Sequence, residues 1–560
     1  MKTNKIIIAA IWSFFIVSII SCEEQVLDKD PIESFSEKDV WGDIDLVERF
    51  VASTYNGLGD WRVGGNYKSL PGLVSDMVLN NTGSGRSHPY NRGNLDPDNL
   101  GPWRYTWRDK YQYIRKCNVF LENIDDVEAS EEHKIILKGE VKYLRARMYF
   151  DLISLWGGVP LITEVFKLDD DFNRIRTPYE EIVDWIVSEL DQAKGMVPEE
   201  RIGDDWGKVN KGACVALKSN VLLYANSNLH DPSTEPNGPL FDYKKNTWQE
   251  VADAAMEVIE MPQYELQQVE NWKDYADIFL KPNSEMIFVK SYHTEYGSNS
   301  ARVVYVHSAN QFGGWGNNIP IHNLVDAYEM NNGKKISEPE SGYNPSPDSI
   351  YLNRDMRFYA SILYQGAVYK GEEMEYFLPG GAASTDGSEP WNASNSGYNL
   401  RKFMDETIEF KSDKGETPWI FLRLAEMYLN YAEAQYMMGN ESEAIEYLNL
   451  IRRRVKQPDI NSSGDELFED IQHERRIELA FEDHRYYDSH RWMIANEVEN
   501  EDVLGIRWYK KDDNGNLDPN GKLTYNIIVA QERTYHGKMI YLPIPQDEIN
   551  KSSIQQNPGY

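Results

Sequence analysis

The clearest reactive side chain of this sequence is the thiol of Cys22, which closely follows an uncharged apolar run over residues 6–20. Lys2 and Lys5 precede the run, and a serine separates it from the cysteine. A basic start, a short apolar core and a small residue before the cut predict a secretory signal peptide over residues 1–21. The run is too short to predict a membrane-spanning helix, which needs about 20 apolar residues.

The residues that end in this cysteine, Ile19-Ile20-Ser21-Cys22, resemble a bacterial lipoprotein box, in which cleavage leaves the cysteine as an acylated N-terminus. A thiolate is the nucleophile that such acylation needs. Two or more acyl chains, at about 0.8 kcal/mol per buried methylene, hold a protein on a bilayer without a spanning helix. We therefore expect an exported protein that is tethered to a membrane through Cys22. A plain signal peptide that is cut elsewhere is the alternative.

A second group with chemical potential is a set of glutamates that recur every four residues, Glu474, Glu478 and Glu482, with Arg475 and Arg476 between them. Paired carboxylates act as acid and base in glycoside hydrolysis when they lie about 5–10 Å apart across a cleft. Ion pairs within one helix and between helices explain the same spacing as well. We favour this structural interpretation.

Two short acidic segments, residues 96–99 and 512–516, contain oxygen ligands of the kind that calcium prefers. Neither segment fits an EF-hand loop, and ordinary turn chemistry explains both more simply. The histidines form no metal-binding pattern, because His473-Glu474 lacks the second histidine of a zinc protease motif. The sequence therefore predicts no metal and no cofactor, with calcium left as the one alternative.

Composition limits the class of protein. The chain has 560 residues, of which 41% are hydrophobic and 12% aromatic, enough for one large or two ordinary cores. The net charge is -32, and removing residues 1–21 deletes two lysines and no acids, which leaves -34. Such a surface repels the phosphates of nucleic acids and anionic lipids, so neither is an expected partner. Cys117 and Cys214 form no disulfide framework, and we expect them to be buried thiols.

Helical periodicity dominates both ends of the chain. Helices are predicted over about 34–55, 107–127, 131–156, 177–196, 209–227, 418–438 and 442–455. Residues 231–415 are rich in Gly, Asn, Ser and Pro, which predicts loops and short strands, such as 286–289, packed on a helical frame. Ala432, Ala434 and Ala444 fall where a tetratricopeptide (TPR) unit closes two helices. The predicted fold is mainly α, a TPR-like superhelix of helical hairpins with an irregular, loop-rich region.

Longer sequence motifs follow one another along the chain. Leu144-Arg-Ala-Arg-Met-Tyr-Phe-Asp-Leu152 is continued by Leu155-Trp-Gly-Gly-Val-Pro-Leu-Ile162. Glu474-Arg-Arg-Ile-Glu-Leu-Ala-Phe-Glu482 comes later, and Tyr541-Leu-Pro-Ile-Pro545 and Gln556-Asn-Pro-Gly-Tyr560 close the chain. In number and order, over nearly all of residues 22–560, these motifs resemble the SusD/RagB-like outer-membrane lipoproteins of Bacteroidetes.

The resemblance implies a division of the chain and a function. After the signal peptide come an N-terminal SusD-like helical region, a loop-rich ligand-binding region and a C-terminal SusD/RagB helical region, over 22–230, 231–415 and 416–560. Residues 231–560 together resemble the family's C-terminal part. The implied protein is not an enzyme. It faces the cell exterior from the outer membrane, captures an oligosaccharide and delivers it to a SusC-like TonB-dependent transporter. Glu23-Glu24 resembles the signal for that outer face.

Sugar binding needs flat aromatic faces for pyranose rings and amide or guanidinium groups for their hydroxyls. In the resembling family such aromatics come from loops in roughly two regions, which here are residues 80–103 and 292–318. The candidate ligand-binding residues are Trp315, Tyr90, Trp103, Tyr296, Asn81, Arg92 and Asn317, with Trp61 and Trp391 ranked below. Trp315 stands between glycines, which favours an exposed ring. The helical aromatics Tyr143, Trp156 and Trp185 are predicted to lie in the core.

Two other functions stay open. A membrane-anchored glycosidase needs two carboxylates across a cleft. A peptide-binding or protein-interaction scaffold with TPR-like helices needs no sugar platform, and it predicts that Trp315 and Tyr90 are buried.

Overall fold

The computed structural model describes residues 40–59, 75, 77–80, 88–103, 105–167, 169–234, 238–296, 300–409 and 414–560. Helix accounts for 44% and strand for 10%, which confirms the mainly α prediction. The N-terminal helices are α1 Ile44–Thr54, α2 His88–Asn91, α3 Thr106–Asn123, α4 Glu131–Trp156, α5 Tyr179–Lys194, α6 Lys211–Asn226 and α7 Trp248–Ile259. Over the described ranges, every helix is too short or too polar to cross a membrane.

The remaining helices fall into a short middle group and a C-terminal group. The middle group is α8 Trp272–Asp277, α9 Ala301–His307, α10 His322–Ala327 and α11 Met356–Ser361. The C-terminal group is α12 Leu424–Met437, α13 Glu441–Arg454, α14 Asp465–Glu478, α15 Arg485–Arg491, α16 Ala495–Val498 and α17 Gln546–Lys551.

The strands form small two-stranded antiparallel sheets. They are β1 Val78–Asn80, β2 Met286–Lys290, β3 Asn318–Pro320, β4 Ile362–Leu363, β5 Val368–Tyr369, β6 Glu372–Glu373, β7 Asn399–Leu400, β8 Trp419–Arg423, β9 Val503–Lys511 and β10 Lys522–Gln531. The pairs are β1 with β3, β2 with β8, β4 with β7, β5 with β6, and β9 with β10.

The long helices form one continuous stack. From α3 to α7 each helix packs on the next, and α7 then packs directly on α12, which packs on α13. Residues between α7 and α12 therefore form a loop-rich region beside the stack. The region predicted to be loop-rich, 231–415, also contains α7, a stack helix that the sequence analysis did not predict. Ala432, Ala444 and Leu448 are fully buried where α12 and α13 meet, because small residues let two helices approach closely.

Helix α4 lies at the centre of the stack. The Ser130 side chain accepts a hydrogen bond from the backbone N–H of His133 at its start, and Gly157, with φ of 72°, ends it. Tyr143 and Trp156 are fully buried, as predicted, whereas Trp185 on α5 is only half-buried. The thiols of Cys117 and Cys214 are buried, as expected. Burial raises the pKa of Cys117 to about 12.

Two parts of the C-terminal prediction are wrong. Residues 419–423, predicted as the start of a helix, form β8, whose Trp419 pairs with Lys290 of β2. A short apolar run fits a strand or a buried helix equally well, so periodicity alone cannot separate the two. The long ribbon of β9 and β10 is also missing from the sequence prediction, although it contains the longest strands of the described residues.

The turn that joins β9 to β10 contains one of the two candidate calcium segments. Asp512 Oδ1 accepts hydrogen bonds from the backbone N–H groups of Asn514, at 2.9 Å, and Asn516, at 2.8 Å. This carboxylate therefore stabilises a turn, as in the simpler interpretation. Within the described ranges, no group of three His, Cys, Asp or Glu side chains is placed to hold a metal ion.

Candidate functional site

Pairing of β1 with β3 joins the two segments in which the candidate ligand residues lie. Asn80 at the end of β1 stands opposite Asn318 at the start of β3. The end of β1 therefore lies next to the start of β3, three residues after Trp315. Asn81, the next residue after β1, lies outside the described residues, as do Trp61 and Cys22.

The Trp315 loop, residues 308–316, is a tight turn between α9 and β3. Gly316 donates its N–H to the Ser308 carbonyl at 2.9 Å. A Cβ atom on Gly314 would lie 2.2 Å from the same carbonyl oxygen, so only glycine fits there. Trp315 itself is half-buried. Its glycine neighbours let the loop close tightly, and the fully open ring that the sequence favoured is not found.

A second loop next to the Trp315 loop presents the most exposed apolar side chain of this surface. Trp391 lies on a short 3₁₀ turn, Pro390–Asn392, and its side chain is 76% exposed, the largest value among the exposed large apolar residues of the described chain. Asn310 joins the two loops, because its Nδ2 donates to the carbonyls of Ser388, at 2.8 Å, and Ser384, at 3.3 Å. We call residues 308–316 and 384–392 the aromatic loop pair.

Tyr90 and Trp103 do not offer the exposed faces that the sequence analysis expected. Their exposed fractions are 2% and 1%, and their ring centroids lie 5.4 Å apart. Tyr486 and Tyr535 pack on Tyr90 at 5.8 and 6.1 Å. The four rings form a cluster in the main core. The prediction that Tyr90 and Trp103 lie on a ligand platform is therefore wrong, because C-terminal aromatic residues cover both rings.

The remaining candidates divide as follows. Asn317 is 3% exposed, so its amide faces the interior and is not a surface contact for a ligand. Arg92 is exposed, and its backbone forms a bridge with Thr534. Tyr296 closes the short 3₁₀ helix Thr294–Tyr296. Arg92 and Tyr296 stay predictions.

The regularly spaced glutamates are fully engaged in a buried ion network. Glu478 Oε1 and Oε2 accept from Arg423, at 2.8 Å, and Arg357, at 3.0 Å, and Arg454 makes a further contact. Glu482 pairs with Lys402 at 2.7 Å. The arginines hold the pKa of Glu478 well below its ordinary range, although burial opposes them. These carboxylates lie between helices rather than across an open cleft, so the structural interpretation holds for them.

The histidines buried among the aromatic rings are expected to make the folded protein less stable in acid. Burial lowers the pKa of His490 to about 4 and that of His230 to about 3, whereas 6.5 is the ordinary value. Below pH 6.5 the unfolded chain binds protons that the folded protein excludes, so stability falls as pH falls. We expect each ring to contribute a loss of about 1.4 kcal/mol per pH unit down to its folded pKa. Urea unfolding between about pH 7.5 and 5 measures this slope.

Matched substitutions separate these rings from other titrating groups. His490→Gln removes one titrating site, so the slope falls by about 1.4 kcal/mol per pH unit. His133 is the control, because its side chain is 36% exposed and pairs with Glu48. The difference between the slopes of the His490→Gln and His133→Gln proteins measures what a buried ring adds beyond an exposed one. Stability that stays flat from about pH 7 to 5 would show that the folded protein tolerates the charged rings.

A stack of helical hairpins forms an extended surface of the kind that repeat proteins use for binding. Two family models match the sequence. One, described as the SusD family, covers residues 284–560, and the other, described as "Starch-binding associating with outer membrane", covers residues 27–223. The chain belongs to the SusD family, as its motifs predicted.

Individual relatives match along almost their whole length. SusD-like protein P25 of Formosa agariphila is 24% identical over 599 aligned positions, which cover 99% of this chain and 98% of the relative. A SusD-like protein from Bacteroides fragilis has 28% identity and a TM-score of 0.79, covering 95% of this chain and 100% of its own. A SusD-like carbohydrate-binding protein from Bacteroides fragilis has 25% identity and a TM-score of 0.76, covering 92% of this chain and 99% of its own.

Proposed function

We propose that this protein binds an oligosaccharide, without cleaving it, at the aromatic loop pair. The observation that carries this proposal is the 76% exposure of Trp391 on a turn that Asn310 ties to the Trp315 loop. A flat indole face in water can pack against the apolar face of a pyranose ring, and each such contact contributes about 0.5–1.5 kcal/mol beyond area burial. The similarity to a carbohydrate-binding protein from Bacteroides fragilis supports the same ligand class.

One observation favours a protein-interaction scaffold instead. That function predicts buried loop aromatics, and Tyr90 is buried. The exposure of Trp391 supports the sugar-binding function, because an indole in water can stack on the apolar face of a pyranose ring. The regularly spaced glutamates do not support a glycosidase, because each carboxylate already accepts hydrogen bonds from buried arginine or lysine side chains.

The proposal includes the setting in which binding occurs. Acylation of Cys22 would hold the protein on the outer membrane, facing the exterior, and the captured glycan would pass to a SusC-like TonB-dependent transporter. The lipoprotein-like sequence around Cys22 and the outer-membrane association in the description of the matching family model support this setting. Co-purification of such a transporter with the tagged, full-length protein from outer membranes tests it.

Trp391→Ala is expected to lower the glycan affinity of the aromatic loop pair by at least tenfold, because the variant removes the open aromatic face while the loop backbone stays in place. The measurement is calorimetry of residues 23–560 against a panel of neutral and charged oligosaccharides. Chromatography of the same mixtures detects any cleavage product, and release of product would identify an enzyme.

Phe172→Ala provides the matched control, since Phe172 is also an exposed aromatic, at 54%, but lies on a different loop. It is expected to bind like the wild type. Equal losses in both variants would mean that the effect is not local to the aromatic loop pair. Absence of heat with every sugar, together with binding of peptides, would replace the glycan proposal by the scaffold function.

A further inference from the structure

A cleft on the helical stack lies apart from the aromatic loop pair and shares no lining residue with it. Two adjoining cavities, of 460 and 350 Å³, meet at Trp206, Gly207 and Lys208, and both reach Val289 of β2. Each volume falls in the range of small-molecule sites, about 300–1,000 Å³. We call this pair of cavities the Trp206 cleft.

Trp206 lines both cavities and lies on a fixed turn. Its backbone N–H donates to the Gly203 carbonyl at 3.1 Å. Gly207 has φ of 95°, and a Cβ atom there would lie 3.1 Å from both Ser291 Oγ and the Val289 carbonyl oxygen. The turn is therefore pressed onto the end of β2, and only glycine allows it. Trp206 is half-buried and packs against the apolar core that includes Val289 of β2.

The larger cavity is also lined by Tyr55 and Glu140, whose side chains are fixed by hydrogen bonds before any ligand arrives. Glu140, 2% exposed, accepts from the Tyr55 hydroxyl and from Arg201, both at 2.6 Å. The Tyr55 hydroxyl accepts in turn from the Val209 N–H at 3.0 Å. Because these hydrogen bonds fix the side chains in advance, the side chains lose little conformational entropy when a ligand binds, which favours affinity.

The charges around the larger cavity indicate what it can bind. They are of both signs and equal in number: Glu48, Glu140 and Asp204, with Arg49, Lys208 and Lys290. Lys208 also pairs with Asp205 at 2.6 Å. An evenly mixed lining gives no net field that would attract an ion. A cavity that combines a tryptophan with fixed hydrogen-bonding groups instead suits an uncharged ring with one apolar face and several hydroxyls.

We infer that the Trp206 cleft is a second carbohydrate-binding site, which takes a short stretch of a neutral glycan against the Trp206 ring. This inference rests on the proposed glycan binding but not on the aromatic loop pair as its only location. Two sites on one chain would let a single long glycan be held at two points, which raises its effective affinity without new contacts at either site.

The test is calorimetry of residues 23–560 with maltohexaose, laminarihexaose, xylohexaose and mannohexaose, for wild type, Trp391→Ala, Trp206→Ala and Trp206→Leu. The leucine variant keeps apolar packing on β2 while it removes the flat ring, so it guards against misfolding of the alanine variant. We expect wild type to bind two ligands per chain, and each variant to bind one. The affinity of the remaining site is expected to be unchanged.

The outcomes separate the two proposals. One ligand per wild-type chain, lost in Trp391→Ala and kept in Trp206→Leu, would overturn the Trp206 cleft and leave the proposed function standing. One ligand that is lost only in the Trp206 variants would support the cleft and move the proposed binding site to it. No binding of any hexasaccharide would overturn both the cleft and the neutral-glycan function.

Discussion

Glu478→Gln is expected to lower the free energy of unfolding by about 3–5 kcal/mol. The side chain is fully buried and contacts three guanidinium groups, those of Arg357, Arg423 and Arg454. Glutamine keeps the volume but removes the charge, so these cations would face one another with too little negative charge between them. Urea unfolding of both proteins at about pH 7.5 measures the loss.

The matched control is Glu446→Gln on the exposed side of α13. Glu446 pairs with Arg453 at 3.0 Å, and both side chains are about half exposed to solvent. Solvent screens this pair, so the change in stability is expected to stay within about 1 kcal/mol. Similar losses in the two variants would mean that burial does not set the strength of the Glu478 network.

The Glu478 network connects several parts of the fold, so the effect of Glu478→Gln is expected to extend beyond the network itself. Arg357 comes from α11 in the loop-rich region, Arg423 from the end of β8 and Arg454 from the end of α13. Glu478 on α14 therefore ties the loop-rich region to the helical stack. We expect Glu478→Gln to weaken glycan binding as well, because the aromatic loop pair belongs to the region that loses its attachment.

Trp103→Ala is expected to lower the free energy of unfolding by about 3–5 kcal/mol while the folded protein keeps its glycan affinity. Trp103 is 1% exposed and contacts the rings of Tyr90 and Tyr486 at 5.4 and 5.3 Å. Removing the indole leaves a cavity that the neighbouring rings cannot fill without moving. Unfolding in urea and calorimetry with the same sugar give the two quantities.

Trp391→Ala is expected to have the opposite effects on stability and on glycan affinity. Its side chain is 76% exposed, so truncation costs little stability, within about 0.5 kcal/mol, but lowers affinity. A Trp103→Ala protein that is as stable as wild type and no longer binds sugar would restore Trp103 to the ligand site.

Local patterns were enough to place the long helices. Helices α4, α6 and α13 lie within a few residues of their predicted bounds, because their capping residues and helical periodicity are local signals. Strand β8 was not predicted, since its partner β2 lies more than a hundred residues earlier in the chain. A short apolar run carries no local signal of such a distant partner strand.

The candidate site was harder to predict. The glycines around Trp315 favoured an exposed ring in the sequence, but in the structure they let the loop close tightly and the residue is half-buried. Trp391 was ranked below Tyr90, although Trp391 is exposed and Tyr90 is buried. Both aromatic residues directly follow a proline, Pro89 or Pro390, so this local signal does not separate the exposed ring from the buried one.

The sequence by itself determined the mainly helical class, the hairpin packing of α12 and α13, and membership of the SusD family. These depend on local spacing and on motifs that can be read along the chain. Only the tertiary structure decided which aromatic rings face water. Tyr90 lies beside His490, 400 positions away, and Tyr486 and Tyr535 cover it. A side chain's exposure is set by the distant residues that pack on it, so no local pattern could have separated Tyr90 from Trp391.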